Sequence, residues 1–240
     1  RPLTRENLRQ APITPTSFTI DIRSDRRGEY FDFALGETPP AFELLQSKPK
    51  EQHLLLYTRD GQRFLLGHDE RHWFVAGIAD RISTVRQAKQ SLLPEQLREI
   101  VGHLPQNEID NRRNPYFKRQ GEWFFVPSAR EIPKTMIRRN EPLQRSWGSK
   151  PHICQELHRE GGETVYIVSG KVYTTDEYEG RRKNDPNFIK GKSVRTRVRN
   201  PTVFVRGSVR HPDHDTITLH RSHRLYINGE FTTTSVAFLD

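Results

Sequence analysis

The chain has 240 residues but only one cysteine, Cys154, and no apolar run approaching the ~18 residues that cross a bilayer. One cysteine cannot form an intramolecular disulfide, and it cannot supply several thiolates to one metal ion. Scarce cysteine favours a reducing compartment, so we expect an intracellular protein, cytoplasmic or associated with the nucleoid. The lack of a long apolar run predicts that the chain has no membrane partner.

Several short motifs that mark enzyme classes are also missing. The sequence contains no G-x-x-x-x-G-K-[ST], G-x-G-x-x-G, G-x-S-x-G or H-E-x-x-H. Hydrolysis of nucleotides on a phosphate loop and serine hydrolase chemistry are therefore disfavoured. No internal repeat of fixed period and no low-complexity tract is present.

Positive charge is abundant and unevenly placed. Residues 1–110 hold fifteen Lys or Arg against sixteen Asp or Glu, whereas residues 111–240 hold twenty-four against fourteen. The net charge of +9 therefore comes entirely from the second part, which indicates one basic face. We expect a near-neutral, β-rich region with a helical pair over 1–110 and a basic antiparallel β region over 111–240. A single domain remains the alternative.

Short runs that alternate with period two dominate the sequence. Hairpins are predicted at 17–35, around Asp60–Gly61 and at 163–175, because each pairs such runs across turn residues. One helical passage interrupts them, with Ser83 as the cap of its first helix and Pro94 in the first turn of its second. The expected class is α+β and β-dominated, with antiparallel sheets or meanders and a short helical pair near 84–104. Residues 1–17 are expected to form an extended arm, and 176–191 a charged loop.

The stretch 181–199 has eight cations and one acid. If V-R-T-R-V-R at 194–199 is a strand, its three arginines share one face at roughly 6–7 Å intervals, near the spacing of phosphates along one nucleic-acid strand. Nearby aromatic residues can stack on bases; they are Tyr173, Tyr178 and Phe188. These features predict a protein that binds DNA or RNA through a basic β-sheet surface. The expected contacts are first Arg195, Arg197, Arg199, Arg206 and Arg210, and next Arg181, Arg182 and Lys183. A solvated loop and edge strand is the alternative interpretation.

The run H-P-D-H-D-T-I-T-L-H-R-S-H at 211–223 collects four of the ten histidines. His211 and His214 flank a predicted turn with two acids beside them, a composition suited to general acid and base work on phosphodiesters. An alternative function is therefore a metal- or histidine-dependent nuclease or phosphodiesterase, with a catalytic set of His211, His214, Asp213 and Asp215. His220 and His223 are expected about 20 Å away at the far end of the next strand, and so in a different place.

A second histidine group lies in K-P-H-I-C-Q-E-L-H at 150–158. Its His and Cys side chains can join the later pair across the fold and hold a divalent metal such as Zn or Mn, or act as a nucleophile and base. The candidate metal ligands are His152, Cys154, His158, His211 and His214. Ordinary backbone hydrogen bonding of turn histidines is the competing interpretation.

A third functional alternative is a basic structural or assembly subunit. In that case the arm at 1–17 wraps a neighbour and makes an oligomer. The adjacent aromatics at Trp123–Phe125 then either lie in a strand buried on both sides or are exposed and meet a partner.

Overall fold

The computed structural model describes residues 18–69, 72–144 and 150–229. The strands are β1 (Phe18–Asp25), β2 (Gly28–Leu35), β3 (Phe42–Lys48), β4 (His53–Thr58), β5 (Arg63–Asp69), β6 (His72–Ile78), β7 (Lys118–Gln120), β8 (Trp123–Pro127), β9 (Arg138–Leu143), β10 (His152–Glu160), β11 (Glu163–Val168), β12 (Lys171–Thr174), β13 (Val194–Arg199), β14 (Thr202–His211) and β15 (His214–Ile227). The helices are α1 (Val85–Ser91), α2 (Glu95–Val101), α3 (Gln106–Asp110) and α4 (Thr175–Asn184). The predicted β-dominated α+β class, with a helical pair near 84–104, is confirmed.

The described chain divides into two compact units. The first contains β1–β8 and α1–α3, the second contains β9–β14 and α4, and parts of β15 belong to each. The first boundary between the two units along the chain follows Pro127. The division into regions 1–110 and 111–240 stays a prediction about charge and domain organisation.

In the first unit, β3-β4-β5-β6 form an antiparallel sheet that is covered on both faces. Successive side chains of β5 point to opposite faces, so Leu65 packs towards Val85 and Ala88 of α1, while Phe64 packs towards Phe18 and Ile22 of β1. The hairpin predicted at Asp60–Gly61 is confirmed, with a positive φ at Gly61. Two apolar clusters on one sheet leave neither face bare.

The helices of the first unit begin close to where the sequence predicts. The cap of α1 is Thr84, whose hydroxyl oxygen accepts a hydrogen bond from the Gln87 amide at 3.2 Å. The prediction of Ser83 was wrong by one residue, and Ser83 instead donates its amide to the Gln87 side chain at 3.3 Å. Pro94 precedes α2 and is its cap residue.

In the second unit, β10 pairs antiparallel with β14 on one side and β9 on the other, with a bulge between Cys154 and Glu156. A separate sheet has the order β12-β11-β13, and its β11–β12 hairpin confirms the prediction for 163–175. The expected loop at 176–191 was wrong over its first half, because α4 occupies it. Thr174 and Glu177 form a reciprocal capping box at the start of α4, which buries only Tyr178.

The aromatic run on β8 is buried on both sides of its strand. Trp123, Phe124 and Phe125 are each no more than 2% exposed. They cannot form an exposed aromatic patch, so the assembly hypothesis loses that support. The arm predicted at 1–17 lies outside the described residues. Within the described ranges, no helix is long and apolar enough to cross a membrane.

Candidate nucleic-acid surface and histidine cluster

The three arginines of β13 share one face of the β12-β11-β13 sheet, as the period-two pattern predicts. Arg195 lies opposite Ile167 and Arg197 opposite Val165, while Arg199 lies opposite Glu163. Val165 is fully buried on this face. The arginine row therefore borders a covered part of the sheet and does not form an open cationic plane.

Three of the arginines predicted to contact nucleic acid make polar contacts within the second unit. Arg199 donates to the Glu163 carboxylate, with one contact from Nε at 3.0 Å. Arg206 donates from Nε to the Glu156 carboxylate at 2.6 Å, and this hydrogen bond raises the pKa of Arg206. Arg210 donates to the Asn140 side chain at 3.3 Å. A phosphate that approaches these side chains has to compete with these acceptors.

The cations of α4 and of the segment after it have different surroundings. Arg181 lies over the Tyr173 ring at 5.3 Å and Arg182 over the Tyr178 ring at 5.7 Å. Lys192 lies over the Phe188 ring at 5.2 Å, and Arg181 is 6.0 Å from the same ring. In the described parts of the chain none of these three cations forms an ion pair, so their charge is not neutralised by a carboxylate.

The rings beneath these cations form the apolar core between α4 and the β12-β11-β13 sheet. Tyr178 stacks on Tyr166 at 4.0 Å between centroids, and Tyr173 meets Phe188 edge-on at 5.3 Å. Tyr178 and Phe188 are buried with Val168. The prediction that Tyr178 and Phe188 stack on bases was wrong, because both rings are covered by protein. Of the three aromatics considered, only Tyr173 is partly exposed.

The structure brings together three of the five histidines and cysteines proposed as metal ligands. His152, His211 and His214 each offer one ring nitrogen, and these nitrogens all lie within 4.8 Å of one another. His152 is buried, whereas His211 and His214 are half-buried. We refer to these three residues as the histidine cluster.

Local strand geometry explains the histidine cluster. The pairing of Ile153 with Arg210 places His152 beside His211, whose rings stack at 4.2 Å with an interplanar angle of 26°. His214 follows His211 after a two-residue turn, so the hairpin itself keeps these two side chains close. The His211 Nε2–H donates to the Lys150 carbonyl at 3.3 Å.

Cys154 and His158 lie outside the histidine cluster. Burial raises the pKa of the Cys154 thiol to about 12. His158 contacts the Met136 carbonyl through Nδ1 at 3.2 Å, and its Nε2 is 3.5 Å from a Glu160 carboxylate oxygen. The sequence identifies Cys154 and His158 as candidate ligands together with His152. It does not indicate that only His152 of the three lies beside His211 and His214.

The acids predicted to accompany His211 and His214 are not part of the cluster either. Asp213 lies in the turn, and Asp215 uses its backbone carbonyl to accept from the Gln120 side chain at 2.6 Å. His220 is exposed, and the buried His223 donates from Nδ1 to the Arg221 carbonyl at 2.7 Å. The separation of this second pair from the first stays a prediction.

Comparisons with protein-family models, with curated proteins and with solved structures return no match.

Proposed function

We propose that the protein binds nucleic acid through backbone phosphates on a surface of the second unit centred on α4. This α4 surface consists of Arg181, Arg182, Lys183, Lys190 and Lys192. The observation that supports it most is the placement of Arg181, Arg182 and Lys192 on one aromatic cluster, with no ion pair to neutralise them within the described ranges.

Stacking on a ring restricts a guanidinium group without consuming its N–H donors. Arg181 and Arg182 are therefore held in place while their donors stay available to phosphate oxygens. Because such contacts neutralise phosphate charge and release counterions, binding weakens steeply with salt. Phosphate contacts carry no direct sequence information, so this surface tolerates many sequences.

The burial of Tyr178 and Phe188 limits the contribution of base stacking. Single-strand binders gain about 1–3 kcal/mol from each base stacked on an aromatic ring. Without those two rings, the α4 surface relies on electrostatics and discriminates weakly between single and double strands. The arginine row of β13 contributes a smaller share, because Arg199 is engaged by Glu163.

The α4 surface suits a nucleic acid better than a lipid bilayer. Helix α4 buries only Tyr178 and exposes no large apolar side chain that can enter the acyl region. Interfacial helices combine a basic face with an apolar one. Helix α4 has no apolar face, and its cations lie in its last turn, after acids in its first turn.

The test replaces Arg181, Arg182 and Lys183 with Ala in the full chain. Fluorescence anisotropy then measures binding to labelled 20-nucleotide single strands of DNA and RNA and to the DNA duplex, over a range of salt concentrations. We expect affinity to fall about ten- to hundredfold at low salt and the salt slope to flatten by about two to three.

A matched control removes the same charge from the first unit, where Arg26, Arg27 and Lys50 are exposed. Their triple replacement by Ala is expected to leave both the affinity and the salt slope nearly unchanged. Equal losses in the two triple variants would show that binding follows net charge alone. If the α4 variant keeps the wild-type affinity and salt slope, the α4 surface is not the nucleic-acid-binding surface.

The histidine cluster supports a second candidate function, a metal-dependent phosphodiesterase. Three imidazoles on one ion leave a coordination position for water, and a metal lowers the pKa of that water enough to make a nucleophile. Incubating labelled DNA and RNA with Zn²⁺, Co²⁺ or Mn²⁺, with and without chelator, tests it. Cleavage that a chelator abolishes supports the enzyme, and intact substrates under every condition count against it.

A further inference from the structure

We propose that His152, His211 and His214 form a binding site for one divalent transition-metal ion such as Zn²⁺ or Co²⁺. This inference does not rest on nucleic-acid binding, since the α4 surface and the histidine cluster share no residue. The convergence of three ring nitrogens within 4.8 Å is the observation from which it starts.

The spacing of these nitrogens is close to that of a metal-bound set. Zinc binds imidazole nitrogen at about 2.0–2.1 Å in tetrahedral geometry, so two nitrogens on the same ion lie about 3.3–3.4 Å apart. Ring movements of under about 1 Å therefore bring the cluster to bonding distance. The half-buried His211 and His214 can make such adjustments more readily than the buried His152.

The surroundings of His211 match those of a metal ligand. Ligating histidines usually donate their second ring N–H to a carboxylate or backbone carbonyl, which fixes the tautomer and orients the ring. His211 donates from Nε2 to the Lys150 carbonyl at 3.3 Å, a hydrogen bond of the kind that orients a ligating imidazole. That carbonyl precedes His152 by two residues, so one short segment supplies both a ligand and a supporting acceptor.

A glycine also makes room for the third ligand. The position that a Cβ atom would take at Gly121 is 3.0 Å from Nε2 of His214. Any side chain at 121 would press on the imidazole, and Gly121 also has a φ of +59° that other residues rarely adopt. Gly121→Ala is therefore expected to displace the His214 ring and weaken metal binding without removing a ligand.

The ligand set determines which metals fit. No carboxylate belongs to the histidine cluster, so the hard cations Mg²⁺ and Ca²⁺ lack the oxygen ligands that they require. Imidazole suits Zn²⁺, Co²⁺, Ni²⁺ and Cu²⁺. Three protein ligands also leave a fourth position for water, a pattern typical of catalytic rather than structural zinc sites.

The experiment uses the full chain without an affinity tag, treated with chelator and then dialysed. Isothermal titration with Zn²⁺ and absorption spectroscopy with Co²⁺ measure stoichiometry, affinity and coordination. We expect one ion per chain, no binding of Mg²⁺, and affinity at least about a hundredfold weaker in His211→Ala and His214→Ala. Far-UV circular dichroism establishes that both variants fold.

His220→Ala is the matched control, because His220 is exposed on the same strand as His214 but is not part of the cluster. It is expected to bind Zn²⁺ as the wild type does. Equal weakening in all three variants, several weak ions per chain, or no binding by the wild type would overturn the site. If His211→Ala or His214→Ala fails to fold, the wild-type Co²⁺ spectrum decides, because a spectrum of free aqueous cobalt refutes the site. Zn²⁺ binding with intact DNA and RNA leaves the metal site standing and refutes only the phosphodiesterase.

Discussion

Two β layers of equal length differ in how closely their apolar cores are associated with surface cations. Residues 42–78, which include β3–β6, carry five Lys or Arg and five Asp or Glu, whereas residues 163–199, with β11–β13 and α4, carry nine against five. The first sheet is covered by apolar clusters on both faces. In the second layer, the rings that form the core also support cations on their outer side.

The difference has a physical cause in what covers each sheet. Helix α1 contributes Val85 and Ala88 to an apolar core of the first sheet, and the Gln46 side chain of β3 accepts from the Val85 amide at 2.7 Å. Helix α4 buries only Tyr178, and further cover comes from Phe188 and Ile189 after it. The second layer therefore couples its core to the position of its cations. In the first layer Arg63 lies over Tyr57 at 4.8 Å, but that ring is outside both apolar clusters.

Phe188→Ala is expected to have the largest effect on the second layer. The ring is 7% exposed and supports both Arg181 and Lys192, so its loss costs about 3–5 kcal/mol of unfolding free energy and releases two cations. Chemical denaturation measures the first effect, and anisotropy with labelled DNA under native conditions measures the second. Phe188→Leu keeps most of the apolar volume and is expected to lose less stability while still weakening DNA binding.

Leu65→Ala in the first layer is the control for this coupling. Leu65 is fully buried between strands and α1, and its truncation costs about 2–5 kcal/mol. DNA affinity of the folded protein is expected to remain at the wild-type level. A loss of affinity in Leu65→Ala that equals that in Phe188→Ala would mean that the two layers do not differ in this way.

The sequence predicts the first layer better than the second for the same physical reason. Alternating apolar runs and Asp60–Gly61 identify the hairpin β4–β5 because half-buried strands follow a period of two. Helix α4 has no apolar stripe with a period of 3.6, so hydrophobic patterning misses it. Its capping box, Thr174 with Glu177, is the sequence signal that identifies it.

The histidine cluster marks a different boundary of what sequence can reveal. His211 and His214 are neighbours in sequence around a turn, so their proximity is predictable. His152 joins them only because β10 pairs with β14 in the register that sets Ile153 opposite Arg210. Strand register between residues so far apart in sequence depends on the whole sheet. The local sequence pattern therefore predicts Cys154 and His158 as metal ligands just as it predicts His152.

The caps of α1 and α4 allow a smaller and more closely matched comparison. Thr84 and Thr174 each accept a hydrogen bond from a backbone amide three residues later, at 3.2 Å in both helices. Replacement of either by Ala is expected to cost about 1 kcal/mol. Only Thr174→Ala is expected to weaken DNA binding, because fraying of α4 moves Arg181 and Arg182. Equal DNA affinities in the two variants would argue that α4 does not present the binding surface.

Glu163→Gln is expected to produce the smallest change in stability. Unlike the variants above that weaken DNA binding, it is expected to strengthen it. The carboxylate engages Arg199 at the partly exposed end of β13, and such pairs contribute about 0.2–1 kcal/mol. Its removal frees one guanidinium group on the arginine row, so DNA affinity is expected to rise and the salt slope to steepen by up to about one. The paired substitutions Glu163→Gln and Arg199→Ala should cancel this gain. If Glu163→Gln leaves affinity and slope unchanged, Arg199 takes no part in binding.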